Sequence, residues 1–274
     1  MPRSASQFLF RACLAFCLAS FGLTFAATKA WAADDGADTT RVLSFGGFCV
    51  KCELSGRKIP DARFMGANFT GASFVGSDLH GAWFFGSDFS KANLAHANLH
   101  GASLFGSDFT ASDFTLADLT GVNAHAANFT GATLNGANMT GADMAVAQLS
   151  HVAGRDANFT SASMLAANLS DGHFEHANFH GANLVASMLA SSVFTDADFS
   201  GANLTHADLA GADLSGAHGL TQAQLDLACS TPATRLPAGL VGKSCRTGPN
   251  IVVLRSNTPI HIGLPRFIVS MPAE

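Results

Sequence analysis

The sequence predicts an all-β chain wound into a four-sided solenoid, on three observations. A large apolar residue returns at every fifth position, a small residue stands two places before nearly every one, and the phase never slips between Leu54 and Leu214. Of the 33 positions in that series only Ala124 and Gly154 are not large and apolar, so chance does not account for it. Ala67, Ala72, Ser77, Ala82, Ser87 and Ala92 supply the small partner. A period of five fits neither the helical stripe at about 3.6 residues nor strand alternation at about 2. When each unit forms one side of a square, the large and small residues point inward and the other three face water. Four sides then close one coil.

Before the repeat, Arg3 and Arg11 precede an apolar stretch from Ala12 to Ala27 that is too short and too broken by Ser and Gly to span a bilayer. Ala30 and Ala32 flank Trp31 in the arrangement a signal peptidase accepts. Residues 1–32 are therefore expected to be a signal peptide with Ala33 as the new first residue. The plainer alternative is an uncleaved anchor. No Cys stands directly after the cleavage point, which argues against a lipid anchor. The expected location is periplasmic or secreted, the expected mature chain soluble, and residues 33–48 read as a flexible lead-in.

Within the repeat, Ala67-Asn68-Phe69-Thr70-Gly71, Ala132-Thr133-Leu134-Asn135-Gly136 and Ala202-Asn203-Leu204-Thr205-His206 carry the motif A-(D/N)-(L/F)-x-G. In this the chain resembles the pentapeptide-repeat family, over roughly residues 49 to 240. The resemblance implies a right-handed quadrilateral β-helix, assigned here to residues 49–216. Strands stacked at ~4.8 Å make the nearly eight coils from Ala62 to Gly216 a rod roughly 37 Å long. Gly66, Gly71, Gly76 and Gly81 suit turns with positive φ. Ala124 predicts looser packing, with Met144 and Met164 above it as adaptable fillers, and Gly154 predicts a bulge or kink.

A solenoid must cover its open strand edges. Cys49-Val-Lys-Cys52-Glu-Leu-Ser-Gly resembles the family's entry sequence, and Leu220 to Cys229 its closing helix, within a cap assigned to residues 217–249. Thr221 is the expected N-cap, and Gln224 completes a capping box. Thr234 to Gly239 matches the family's exit from that helix. Cys13 and Cys17 leave with the signal, so Cys49, Cys52, Cys229 and Cys245 meet an oxidising compartment. Two local disulfides are expected, Cys49 with Cys52 and Cys229 with Cys245, with free thiols as the alternative. A four-cysteine zinc site would have to unite opposite ends of the rod, and thiol redox catalysis would want a βαβ context that is absent. In the tail, residues 250–274, Ile251–Leu254 and Phe267–Ser270 are short apolar runs suited to strands folded back on the rod.

Residues twenty apart lie one above another, so the faces can be written out. Beside inward Phe64, Phe84 and Leu104, the outward positions carry Met65, Trp83, Phe85, Phe105, Val146, Leu165 and Val185. An exposed apolar strip of that length marks a contact surface for a partner protein or a second copy, unless the tail or cap covers it. The side around Phe74, Leu94 and Phe114 is acidic, with Asp113, Asp156, Glu175, Asp196 and Asp213 among His96, His173 and His176. On a third side His80 stacks below His100. Two imidazoles are too few for a dedicated metal site, and solvated side chains are the plainer reading. Asp88 and Asp108 stack likewise, but on an open face they lack the pocket a glycosidase needs. The N-x-S/T matches are produced by the repeat itself.

Lys and Arg total 15 against 20 Asp and Glu, with no basic stripe to attract nucleic acid. No nucleophile triad, phosphate loop or helical metal motif is present, and an axis packed solid leaves no substrate cavity. The reading is a non-enzymatic interaction or structural rod needing no cofactor. The rivals are a DNA-mimic topoisomerase inhibitor, which an exported protein fits poorly, and a weak surface metal-binding module.

Overall fold

The structure, a computed structural model, describes residues 43–45 and 47–245. The expected signal peptide, residues 33–42, Gly46 and the segment 246–274 lie outside the described residues. From the pairing of Phe48 with Asn68 to that of Asp198 with His218, every parallel bridge joins a residue to the one twenty later. Bridges recur at five-residue steps, giving four paired sites per coil.

Regular strands are scarce. Among the described residues only β1 (Leu43–Phe45), β2 (Arg63–Met65) and β3 (Trp83–Phe85) extend to three residues, paired in parallel in that order, and elsewhere each side of the repeat is a single bridge. The reason is the turn that follows each large residue. Phe69 N–H donates to the Asp88 carbonyl of the next coil at 2.6 Å, and three residues on Ala72 N–H turns back to the Phe69 carbonyl at 2.9 Å. The ladder begins earlier than the sequence indicated: β1 pairs with β2, and Phe48 with Asn68, inside the segment read as a flexible lead-in.

The residue two places after each large one lies in the left-handed region throughout the repeat, whatever its identity. Glycine serves at Gly66, Gly71 and Gly76, but seventeen non-glycine residues adopt positive φ there, among them Leu116 and Val146. The turn is thus imposed by inter-coil hydrogen bonding, since an isolated L-residue pays about 1–2 kcal/mol for this conformation. Asn or Asp before the large residue holds the side from outside: Asp108 Oδ1 accepts from Thr110 N–H at 2.9 Å, and Asp113 Oδ1 from Thr115 N–H at 2.9 Å.

Inside, the inward residues from Phe69 to Leu214 are buried and stack along the axis, while Ile59 and Phe64 in the first coil are partly buried. Phe69, Phe89, Phe109 and Phe129 form one ring column with centroids 4.8, 5.0 and 5.1 Å apart, and Phe159, Phe179 and Phe199 another at 5.0 and 5.2 Å. Smaller residues occupy the corners, where Ser112 and Ser192 hydroxyls donate to buried carbonyls at 2.7 Å.

Gly154 makes neither a bulge nor a kink. Ala153 keeps its bridge to His173, and Gly154 N–H donates to the His173 carbonyl at 2.7 Å. Its missing side chain is compensated from the next coil. A Cβ there would lie 2.7 Å from the Phe174 ring, and one on Gly172 would also collide with it, so Phe174 takes the room both glycines vacate. At Ala124 the column stays closed, with Ala124, Met144 and Met164 all fully buried.

α1 (Gln222–Leu227) closes the last coil. Thr221 Oγ1 accepts from Gln224 N–H at 3.3 Å while Gln224 Oε1 accepts from Thr221 N–H at 2.7 Å, the expected capping box. Gln224 also donates to the Phe199 and Ala202 carbonyls at 3.0 and 2.8 Å, and the second of these is a group that a further coil would otherwise reach. Beyond α1 the ladder resumes, with Cys229 over Asp208 and Arg235 over Asp213. No helix among the described residues is long and apolar enough to cross a membrane.

Candidate interaction face

The side facing outward from Phe64, Phe84 and Leu104 is built on β2 and β3. In a strand the residues either side of an inward one must point out, so Phe84 buried on the axis places Trp83 and Phe85 in solvent. Trp83 is 52% exposed and Phe85 49%, with Met65, Val146 and Leu165 also exposed. Phe105 and Val185 are half-buried. The difference lies in stacking: Phe105 is held between Phe85 at 5.3 Å and His125 at 5.4 Å, the planes within 3° and 6° of parallel.

That geometry decides what the strip offers. Ring faces are consumed by the neighbouring coils, leaving mainly edges outward, so the Phe85–Phe105–His125 ladder is poorly suited to stacking on a planar ligand. Trp83 differs, because Ser103 in the next coil is small. Trp83, Phe85 and Phe105 border a shallow cleft with Ser103 and Asn123, and Arg63 lies 4.9 Å from the Trp83 ring centroid on the other side. Sequence reading missed His125 and Arg63, although stacking at intervals of twenty would have placed both.

Val146 sits at the corner of this face with φ +53°. A β-branched residue strains there, and glycine serves the same turn in other coils without that cost. The strain keeps an apolar side chain at the edge of the strip.

The opposite side is mixed rather than uniformly acidic. Arg155 Nε lies 3.6 Å from Asp156, His173 Nδ1 3.4 Å from Glu175 and Arg235 Nη1 3.1 Å from Asp213. Partial burial opposes the charge on Asp213, but hydrogen bonds from Ser215 and Arg235 outweigh it and hold its carboxyl below the ordinary range. On the third side His80 Nδ1 is 2.7 Å from Asp78 Oδ1, and this bond lowers the Asp78 pKa. Among the described residues, Asp208, Cys229 and Cys245 are the group of three whose ligand atoms converge, yet the two sulfurs are bonded to each other. Cys49 and Cys52 are joined as well.

The family's repeat model matches in eight copies, over residues 49–84, 82–121, 117–153, 155–187 and 187–218, which is more than half the chain. The chain belongs to the pentapeptide-repeat family. The members of this family fold as right-handed quadrilateral β-helices, and the twenty-residue pairing agrees with that. No curated protein matches this pentapeptide-repeat chain. Among solved structures it is similar to HetL of the cyanobacterium Nostoc, a pentapeptide repeat protein involved in heterocyst differentiation regulation (24% identity, 72% of this chain and 83% of that one, TM-score 0.36). It is similar also to QnrB1, a plasmid-mediated fluoroquinolone resistance protein (18%, 72% and 89%, TM-score 0.38). A pentapeptide repeat protein of the Arabidopsis thaliana thylakoid lumen is 28% identical, over 40% of this chain and 63% of that one, with a TM-score of 0.29.

Proposed function

We propose that this pentapeptide-repeat chain is a right-handed quadrilateral rod acting outside the cytoplasm as a non-enzymatic interaction scaffold, and that its working surface is the strip from Met65 to Val185. The observation that carries the reading is the strained, exposed Val146 beside a ladder of exposed apolar side chains. Folding draws on the inward residues and on the Asn or Asp that holds each turn, so outward apolar side chains, one of them held at a conformational cost, are best accounted for by contact. The export reading rests on the features of residues 1–32.

Phe85→Ser combined with Phe105→Ser tests this. Both residues are outward, so far-ultraviolet dichroism should not change, while self-association followed by light scattering, or binding to a partner purified from the envelope, should weaken by about 30-fold or more, the factor for ~2 kcal/mol at a hot spot. Unaltered association in the folded double variant would reject the strip as the working surface.

A further inference from the structure

We infer that the occupant of this apolar face is a second copy of the chain, set antiparallel about a two-fold axis that crosses the face at Ser103 and Phe105; the inference rests on the strip being the working surface. One column of the face carries the charge that fixes the register. Arg63, Trp83, Ser103, Asn123 and Asp143 are bridged one above another in successive coils. At ~4.8 Å per coil the guanidinium and the carboxylate stand four coils, about 19 Å, apart along the rod. None of the ion pairs among the described residues uses either of them. Arg63 lies over the Trp83 ring, and Asp143, exposed, accepts from Ala145 N–H at 3.1 Å through Oδ1. Each therefore has charge to offer outward.

Two-fold symmetry turns that spacing into complementarity. When two copies meet face to face with their rods antiparallel, each column faces the same column of the other copy in reverse order. An axis at Ser103 then sets Arg63 against the partner's Asp143 and Asp143 against the partner's Arg63. One matched distance gives two ion pairs.

Size agrees with the same register. The second column runs Met65, Phe85, Phe105, His125, Ala145. Met65 falls against the partner's Ala145, Phe85 against the partner's His125, and Phe105 on the axis against the partner's Phe105. At the corner the strained Val146 meets the partner's Gly66, where an added Cβ would touch nothing within 4 Å. Large side chains thus meet small ones. The shallow cleft that runs from Trp83 past Ser103 to Asn123 is centred on the axis, so each Trp83 reaches across it toward the partner's Asn123.

Other arrangements lose this match. Sliding one copy by a coil opposes Arg63 to the partner's Asn123 or to the partner's Ser163, both neutral. Parallel rods bring the two columns together at the same level, with Arg63 on the partner's Met65 and Asp143 on the partner's Ala145. Both charges would then be buried unpaired, at a cost that the ion pairs of the antiparallel register avoid.

Charge reversal tests the register. Arg63→Glu and Asp143→Arg change outward side chains, so far-ultraviolet dichroism should stay as in the parent. Self-association followed by sedimentation should weaken by about 30-fold or more in either variant, because both facing pairs become like-charged. An equimolar mixture of the two variants again opposes unlike charges at both contacts and should associate as the parent does. Reversals without effect, or a mixture that stays monomeric, overturn the inference. Ser103→Cys reads the axis directly: a short bismaleimide should link two copies through it, while Ser163→Cys, whose counterpart would lie six coils away, should give no link. Links at both positions indicate parallel rods and links at neither remove the axis, and either result overturns it. Failure here is distinct from failure of the strip. If Phe85→Ser with Phe105→Ser abolishes association and the charge reversals do not, the face stands and this register falls. If the parent never self-associates but the Phe85→Ser, Phe105→Ser variant loses an envelope partner, the face stands and the second copy falls. If none of these variants changes any association, both readings fall.

Discussion

The side over Phe84 and the side over Phe174 share one backbone, one turn conformation and one kind of buried column, yet outside they present aromatic edges in one case and interleaved acids, Arg155 and imidazoles in the other. The rod's architecture is satisfied by the inward residue and its small partner. Outside, folding asks only for an Asn or Asp that accepts from the turn and for a residue that takes positive φ, so a large apolar side chain there reports on contact rather than on the fold. Chemistry on this chain is therefore read by side, at intervals of twenty, and not along the sequence.

The largest effect should fail to distinguish the two sides. Phe84→Ala and Phe174→Ala each remove a wholly buried ring, and each should cost about 3–5 kcal/mol in chemical denaturation. Gly154 and Gly172 have no side chains that can close around the space Phe174 leaves, so that variant belongs at the upper end. A small loss at either position would mean that one column is adaptable, and the equivalence of the two interiors would break.

A smaller effect should separate them. Val146 and Asp156 occupy equivalent turns at φ +53° and +58°. Replacing either by glycine relieves the left-handed strain and should raise stability by up to about 1 kcal/mol, less the entropy glycine adds to the unfolded chain. Only Val146→Gly should also weaken association through the apolar strip. If Asp156→Gly weakens it equally, the strip is not the contact.

How much of this was legible follows from what the period constrains. The axis, the corners and the capping box are set by residue type at fixed spacing, and Thr221 with Gln224 could be placed before any coordinates. Gly154 was misread because a local rule, glycine as a bulge, took no account of Phe174 one coil away, whose ring supplies the missing volume. The turns were half legible. Glycine announced positive φ, but Val146 and Leu116 adopt it only because inter-coil hydrogen bonds override their own preference. On the strip, residue identities gave the apolar strip, whereas the parallel stacking that buries the faces of Phe105 required the structure. Strand scarcity was not foreseeable from a period of five alone, because a single bridge per side satisfies the same pattern.

The smallest effect concerns acid, and it concerns the polar side. Asp213 accepts from Ser215 N–H at 3.0 Å, from its hydroxyl at 2.6 Å and from Arg235 at 3.1 Å, and these bonds hold its carboxyl below the ordinary range despite partial burial. A carboxyl whose folded pKa is depressed contributes stability above its unfolded value, near pH 4, and loses it as pH falls through the folded value. Lowering pH from about 5 toward 2 should thus loosen the attachment of the capping segment at Arg235, which stacks directly on Asp213. Asp213→Asn removes that titration. The melting temperature of the variant should be lower than the parent's at pH 7 and converge with it in acid, while Phe85→Ser with Phe105→Ser should leave the acid dependence unchanged. A parent and an Asp213→Asn variant that decline in parallel would place the acid sensitivity elsewhere on the rod, with Asp78 and its bond to His80 on the third side the next group to test.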